Sequence, residues 1–173
     1  MTTIGKAMQD AINEQINKEF FSSYLYLSMA AYFEDKNLMG FGHWMRIQAD
    51  EEREHAMKFY NFLLDAGGRV QLKAIAAPDT EWKSNLEVAE QVAEHEAKVT
   101  ASIHALYELG LKEKDYAAQI LLQWFITEQV EEEKNATELV AKLRLIEERG
   151  TAVLMLDHRL SKRGGEDGEG EEE

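Results

Sequence analysis

The chain has 173 residues, one proline and no cysteine, and its formal net charge at pH 7 is −14. This length suits one domain with a well-buried core, and the lack of cysteine excludes disulfide scaffolds, thiolate zinc sites and iron–sulfur clusters. The acidic balance argues against nucleic acid as a partner, because phosphate backbones require a basic surface, and it fits a protein that handles cations.

Apolar residues recur at helical spacing along four long stretches and one short one, which predicts an all-α fold. In chain order the predicted helices span residues 2–35, 39–65, 84–109, 113–148 and 152–162. Gly67, Gly110 and Gly150 follow the second, third and fourth helices and are typical helix terminators. The chain shows neither a charged-then-apolar leader nor an apolar run near 18 residues, so we expect no membrane partner and a cytoplasmic location.

The lengths of the links predict the topology. Short links join the first helix to the second and the third to the fourth, so each pair should form an antiparallel hairpin. Residues 67–82 are the least periodic internal segment and contain Pro78. About fifteen extended residues can cross a ~40 Å helix, which predicts a four-helix bundle with one long crossover between the second and third helices, plus a short fifth C-terminal helix.

We assign residues 1–163 to one domain and residues 164–173 to an acidic tail. The tail holds six acidic residues, no basic residue and no large apolar residue. Because such a composition cannot bury enough apolar surface to offset the entropy of ordering, we expect the tail to be disordered.

One carboxylate interrupts the apolar stripe of each long helix, near the predicted midpoint. These residues are Glu19, Glu52, Glu96 and Glu132, and His55 lies three residues after Glu52 on the same helix face. Aligned hairpins of similar length bring all of them to one level of the bundle. Four buried carboxylates do not all stay ionised unaided, and no Lys or Arg lies on the inward stripes near this layer. We infer a multivalent metal ion, and mixed carboxylate and imidazole ligands suit iron or manganese.

The spacing also matches a known ligand pattern. Di-iron helix bundles use one Glu from each of two helices and a Glu-x-x-His motif from each of the other two. Glu52 and His55 supply one such motif. The fourth helix departs from the pattern, since Gln129 and Glu132 stand where Glu and His are expected.

Four segments together resemble the bacterial non-haem ferritin family, over residues 2–162. They are NKEFFSSYLYL around Glu19, ADEEREHA around Glu52, EHE at residues 94–96 and LQWFITEQVEEEK at residues 122–134. The resemblance implies a ferroxidase that oxidises Fe(II) with dioxygen or hydrogen peroxide, for iron storage and detoxification. It also implies a homo-oligomeric shell of 24 subunits that receives the ferric mineral in its cavity.

The resemblance further implies two irons per subunit and a third nearby iron site. The first iron would be bound by Glu19, Glu52 and His55, and the second by Glu52, Glu96 and Glu132, so that Glu52 bridges them and Gln129 lies beside them. The ligands of the third site would be Glu51, Glu128, Glu131 and the shared Glu132.

Several residues keep a second interpretation. Tyr26 and Trp124 match aromatic positions near the centre in the family, where the resemblance implies that they pass electrons or limit radical escape and that Tyr26 assists the reaction, but both could be core residues only. The remaining histidines are interpreted as surface or packing residues: His43, His95, His104 and His158.

Proteins of other functional classes would need residues or modules that can be looked for in this sequence. A bacterioferritin would bind haem through a methionine after the bridging glutamate, where this chain has Arg53, so no haem is expected. A rubrerythrin-type peroxidase would need a four-cysteine iron module. A structural bundle would bind no metal, and an oxygenase would need an open pocket beside the iron.

Overall fold

The computed structural model describes residues 4–164, which form five α-helices and no β-strand. The helices are α1 (Lys6–Asp35), α2 (Met39–Asp65), α3 (Asn85–Glu113), α4 (Tyr116–Ile146) and α5 (Gly150–Leu160). The predicted all-α class is confirmed. None of the described helices is both long and apolar enough to cross a membrane. Residues 165–173 of the expected acidic tail lie outside the described part, so its disorder and the domain boundary stay predictions.

Polar contacts close both hairpins at their open ends. The amide of Ile4 donates to the carbonyl of Ala66 at 3.1 Å, which places the start of α1 beside the end of α2. The side-chain amide of Asn85 donates to Glu148 Oε2 at 2.8 Å, which places the start of α3 beside the end of α4. The two predicted antiparallel hairpins are therefore present.

The crossover, residues 66–84, runs along α1 from its beginning to its end. Four side chains of α1 donate to crossover carbonyls in sequence, satisfying backbone groups that have no helix of their own. The pairs are Asn13 with Arg69 at 3.0 Å, Asn17 with Ala74 at 3.1 Å, Ser28 with Asp79 at 2.6 Å and Tyr32 with Trp82 at 3.0 Å. Because the segment travels the full length of the bundle, α2 and α3 are parallel, as the link length predicts.

The boundary between α3 and α4 differs from the sequence-based expectation. Gly110 does not end α3, which continues to Glu113. Gly110 is buried, and a Cβ there would lie 3.3 Å from Gln119 Cγ, so the glycine permits close packing of α3 on α4. The helix stops instead at Lys114, whose φ is 55°. Asp115 then caps α4 by accepting from the amide three residues on at 3.0 Å.

Two apolar clusters fill the bundle, with a buried polar layer between them. The first includes Met29, Phe33, Phe41, Met45, Val92 and Leu139, and the second includes Ile12, Phe59, Leu63, Ile103 and Phe125. In each of α1 to α4 the inward carboxylate falls between residues of the two clusters. The apolar ends therefore exclude water from the polar layer and lower the local dielectric around its charges.

Candidate metal centre

The tightest group of possible metal ligands comes from α1 and α2. One ligand atom each from Glu19, Glu52 and His55 all lie within 4.8 Å of one another. The exposed fractions of these residues are only 1%, 0% and 5%. The i,i+3 spacing of Glu52 and His55 puts both side chains on the face of α2 that meets Glu19.

Several polar atoms in this group have no hydrogen-bond partner. They are Glu19 Oε2, both carboxyl oxygens of Glu52, and His55 Nδ1. The closest approach of His55 Nδ1 to Glu52 Oε1 is 3.6 Å, which is too long for a hydrogen bond. Leaving buried polar atoms unpaired costs about 1 to 3 kcal/mol each. A cation bound by carboxylate oxygens and imidazole satisfies all of them, and this donor set suits iron.

The other half of the layer comes from α3 and α4. Glu96 is fully buried and accepts from the Tyr26 hydroxyl and, at 3.1 Å, from Gln129 Nε2. Glu132 is 6% exposed and accepts from Gln48 Nε2 at 2.9 Å. Glu96 and Glu132 do not belong to the tight three-residue group. All five predicted ligands are nevertheless buried between the two apolar clusters, and so share one layer of the bundle.

Burial makes the carboxylic acids of this layer hold protons when no cation is present. It raises the pKa of Glu19 and of Glu52 well above the ordinary value. The charge of Glu52 raises the pKa of Glu19 further, and the charge of Glu96 raises that of Glu52, which a hydrogen bond from the protonated Glu19 opposes. It also raises the pKa of Glu96 to about 7, although hydrogen bonds from Tyr26 and Gln129 oppose the shift. The pKa of the Tyr26 hydroxyl is raised by burial and by the charge of Glu96. A cation that binds here must therefore displace protons.

The residues expected at a third site surround an adjoining cavity of about 270 Å³. Its lining includes Glu51, Glu128, Glu131 and Glu132, so the structure brings these four side chains together. Arg163 also lines the cavity and donates to Glu51 Oε2 at 2.8 Å. Burial raises the pKa of Glu51, and the charge of Arg163 opposes that shift.

The structure places some of the predicted aromatic and histidine residues at or beside the centre and others at the surface. Tyr26 is buried and bonded to Glu96, so it touches the site. Trp124 is 39% exposed, and its ring lies 5.5 Å from that of His55 between centroids. His95 lies beside the layer, where its Nε2 is 2.7 Å from Ser22 Oγ, and burial lowers its pKa to about 4. His104 and His158 are exposed.

The residues that orient the carboxylates were not among the predicted site residues. Gln15 donates to Glu19 Oε1 at 2.7 Å, and Gln48 donates to Glu132. Both glutamines are nearly fully buried and lie four residues before an inward glutamate of the same helix, a spacing that is visible in the sequence. Arg163 gave no such signal, because its contacts depend on how the segment after α5 packs.

Comparison with known proteins agrees with this geometry. A family model described as the ferritin-like domain matches residues 9–146. The chain is 41% identical over 160 residues to the bacterial non-heme ferritin of Bacteroides fragilis (strain 638R), an alignment that covers 92% of this chain and 99% of that protein. It is 38% identical over 154 residues to the bacterial non-heme ferritin of Campylobacter jejuni, covering 89% and 92%.

Among solved structures, an open pore ferritin from the hyperthermophilic archaeon Archaeoglobus fulgidus superposes with a TM-score of 0.93. Its sequence is 51% identical, and the superposition covers 94% of this chain and 99% of that one. With a family model that spans most of the bundle and relatives that match over nearly their whole length, the chain belongs to the ferritin-like domain family.

Proposed function

We propose that this chain stores and detoxifies iron by oxidising Fe(II) with dioxygen inside each subunit and depositing the ferric product in the cavity of a protein shell. The names of its relatives as bacterial non-heme ferritins support this function. The assembly is a homo-oligomer, for which we propose 24 subunits.

One observation carries the proposal: the fully buried Glu52 carboxylate has no permanent hydrogen-bond donor at either oxygen and can only share a proton with the carboxyl group of Glu19. Its immediate neighbours are another unpaired carboxylate oxygen, on Glu19, and an unpaired imidazole nitrogen, on His55. A structural bundle would fill such a layer with apolar or mutually bonded side chains, because unpaired buried polar atoms reduce stability.

The free oxygens support a division of ligands between two irons. Glu19, Glu52 and His55 bind the first Fe(II), and Glu96 and Glu132 bind the second together with Glu52. Glu52 is suited to bridge them, since both of its oxygens are available. Gln129 donates to Glu96 and fixes the direction of its carboxylate.

The chemistry then requires only that two Fe(II) substrates lie close together. Each Fe(II) gives one electron to the same dioxygen, and two protons complete its reduction to hydrogen peroxide, so that no one-electron oxygen product is released. Hard carboxylate ligands favour the Fe(III) product. The protonated carboxylic acids of the metal-free layer lose their protons as Fe(II) binds, which supplies protons close to where they are needed.

Transfer of the product to the mineral requires that the site hold Fe(III) only moderately. Gln129 and Glu132 replace the second Glu-x-x-His motif and so remove one imidazole ligand. The adjoining cavity, lined by Glu51, Glu128 and Glu131, offers oxygen ligands for the third iron on its way out.

The test compares Glu52→Ala with Asp50→Ala, a change of an exposed carboxylate two residues earlier on α2. In the assembled protein, Glu52→Ala should abolish the fast phase of Fe(II) oxidation measured by stopped-flow absorbance, while Asp50→Ala should leave it unchanged. An unchanged initial rate for Glu52→Ala contradicts the assigned bridge.

A second measurement separates storage from cofactor chemistry. Hundreds of Fe(II) per shell are added under air, and iron that co-elutes with the protein is counted. Formation of an iron core supports storage, whereas uptake that stops at two irons per chain contradicts it.

A further inference from the structure

Arg163, which follows α5, reaches across to α2 and is held there at four points. Its backbone carbonyl accepts from His43 Nε2 at 2.8 Å, and its guanidinium carbon lies 4.8 Å from the centroid of the Trp44 ring. Nη1 donates to Gln48 Oε1, and Nη2 donates to Glu51 Oε2 at 2.8 Å. Three of these partners, Trp44, Gln48 and Glu51, share one face of α2, so the guanidinium is placed along that face.

The contact with Gln48 connects Arg163 to the candidate metal centre. A guanidinium only donates hydrogen bonds, so it fixes the oxygen of the Gln48 amide toward itself and turns the NH₂ group the other way. That NH₂ group donates to Glu132 Oε2 at 2.9 Å. The direction of the Glu132 carboxylate thus depends on a residue more than 30 positions later in the chain.

The contact with Glu51 puts a permanent positive charge in the acidic cavity beside the centre. Guanidinium stays protonated at any physiological pH. The other cationic side chain of the lining, Lys58, lies with its Nζ 3.8 Å from the centroid of the Trp124 ring. A divalent cation that binds Glu51 must therefore compete with Arg163 for this carboxylate.

We propose that Arg163 is a positioning and affinity-setting residue of this cavity. It holds Glu132 in place through Gln48. Its charge lowers the affinity of the Glu51 side of the cavity for divalent metal, so that iron passes through instead of remaining there. This inference rests on the proposed iron function, since it concerns the step after oxidation.

The test measures Zn(II) binding to the metal-free assembled protein by titration calorimetry, because Zn(II) cannot be oxidised and reports affinity alone. In Arg163→Gln the weakest binding step should tighten about tenfold, the amount expected for removing one hydrogen-bonded charged competitor. In Arg163→Lys, which keeps the charge but cannot form the two-armed contact, that step should stay within about threefold of the original protein.

Arg159→Gln is the matched control, because Arg159 is an exposed residue of α5 and its loss changes the net charge equally. Its weakest step should not change. An equal tightening in Arg159→Gln, or an unchanged or weaker step in Arg163→Gln, overturns the proposal. So does a tightening in Arg163→Lys as large as in Arg163→Gln.

A second variant covers the case in which Arg163→Gln fails to assemble. Glu51→Gln removes the carboxylate for which Arg163 and the metal compete, and it leaves Arg163 in place. Because Arg163 already weakens this carboxylate as a metal ligand, the weakest Zn(II) step of Glu51→Gln should stay within about threefold of the original protein, and a loss above about tenfold contradicts the competition. Absence of every Zn(II) binding step in the original protein would instead contradict the proposed function itself.

Discussion

Glu96→Gln tests whether an ionised carboxylate in the polar layer destabilises the fold when no metal is bound. In the folded protein burial raises the pKa of Glu96 from 4.5 to about 7. Each pKa unit corresponds to about 1.4 kcal/mol, so ionised Glu96 destabilises the metal-free fold by about 3 kcal/mol at pH 8. Glutamine has the same shape without the charge, but it replaces one acceptor oxygen by an NH₂ group, at a cost of about 1 kcal/mol.

The direction of the pH dependence follows from proton binding. Between pH 4.5 and about 7 the folded state holds a proton on Glu96 that the unfolded state has lost. The free energy of unfolding of the metal-free protein therefore falls as pH rises through this window. The variant lacks this contribution, so it should be slightly less stable than the original protein at pH 4.5 and about 2 kcal/mol more stable at pH 8.

Thermal unfolding with a chelator, at equal protein concentrations, measures the effect. For a chain of this size about 2 kcal/mol corresponds to a rise in Tm of roughly 4 to 8 °C at pH 8. Excess Zn(II) should reverse the order, because the variant has lost a ligand. Glu108→Gln, at an exposed position of the same helix, should change neither Tm nor its pH dependence. A Glu96→Gln protein that melts no higher at pH 8 refutes the reasoning.

Three further changes test the packing and the orienting bonds. Phe59→Ala removes a fully buried ring stacked on Phe125 at 4.0 Å, so chemical denaturation should show a loss of about 3 to 5 kcal/mol. Ser84→Ala removes the side-chain N-cap of α3, which should cost about 1 kcal/mol in the same assay. Gln15→Leu removes the donor to Glu19, so tight Zn(II) binding should weaken about tenfold in calorimetry while the protein still assembles.

Each of these changes has an outcome that contradicts it. A loss below about 1 kcal/mol for Phe59→Ala means that the second apolar cluster is loosely packed. Full stability of Ser84→Ala means that water replaces the cap. Unchanged Zn(II) affinity in Gln15→Leu means that Glu19 is oriented by its backbone alone, and Tyr24→Leu, at an exposed position of α1, serves as its control for helix stability.

The bundle and the level of its inward carboxylates were accessible from the sequence because both follow from local periodicity. The bounds of α2 agree residue for residue with the predicted span of 39–65. The position of each inward glutamate relative to its apolar neighbours is fixed by 3.6 residues per turn, whatever the rest of the chain does. The crossover length then determined the direction of α3.

Tertiary structure alone decided the contacts between distant parts of the chain. Local rules predict a helix terminator at Gly110, but close packing against Gln119 keeps this glycine inside α3. Arg163 and Glu51 are 112 positions apart, and no local pattern predicts that they meet. Helical periodicity fixes which side of a helix a residue occupies, whereas the partner it meets there depends on how separate helices pack, which is a property of the whole chain.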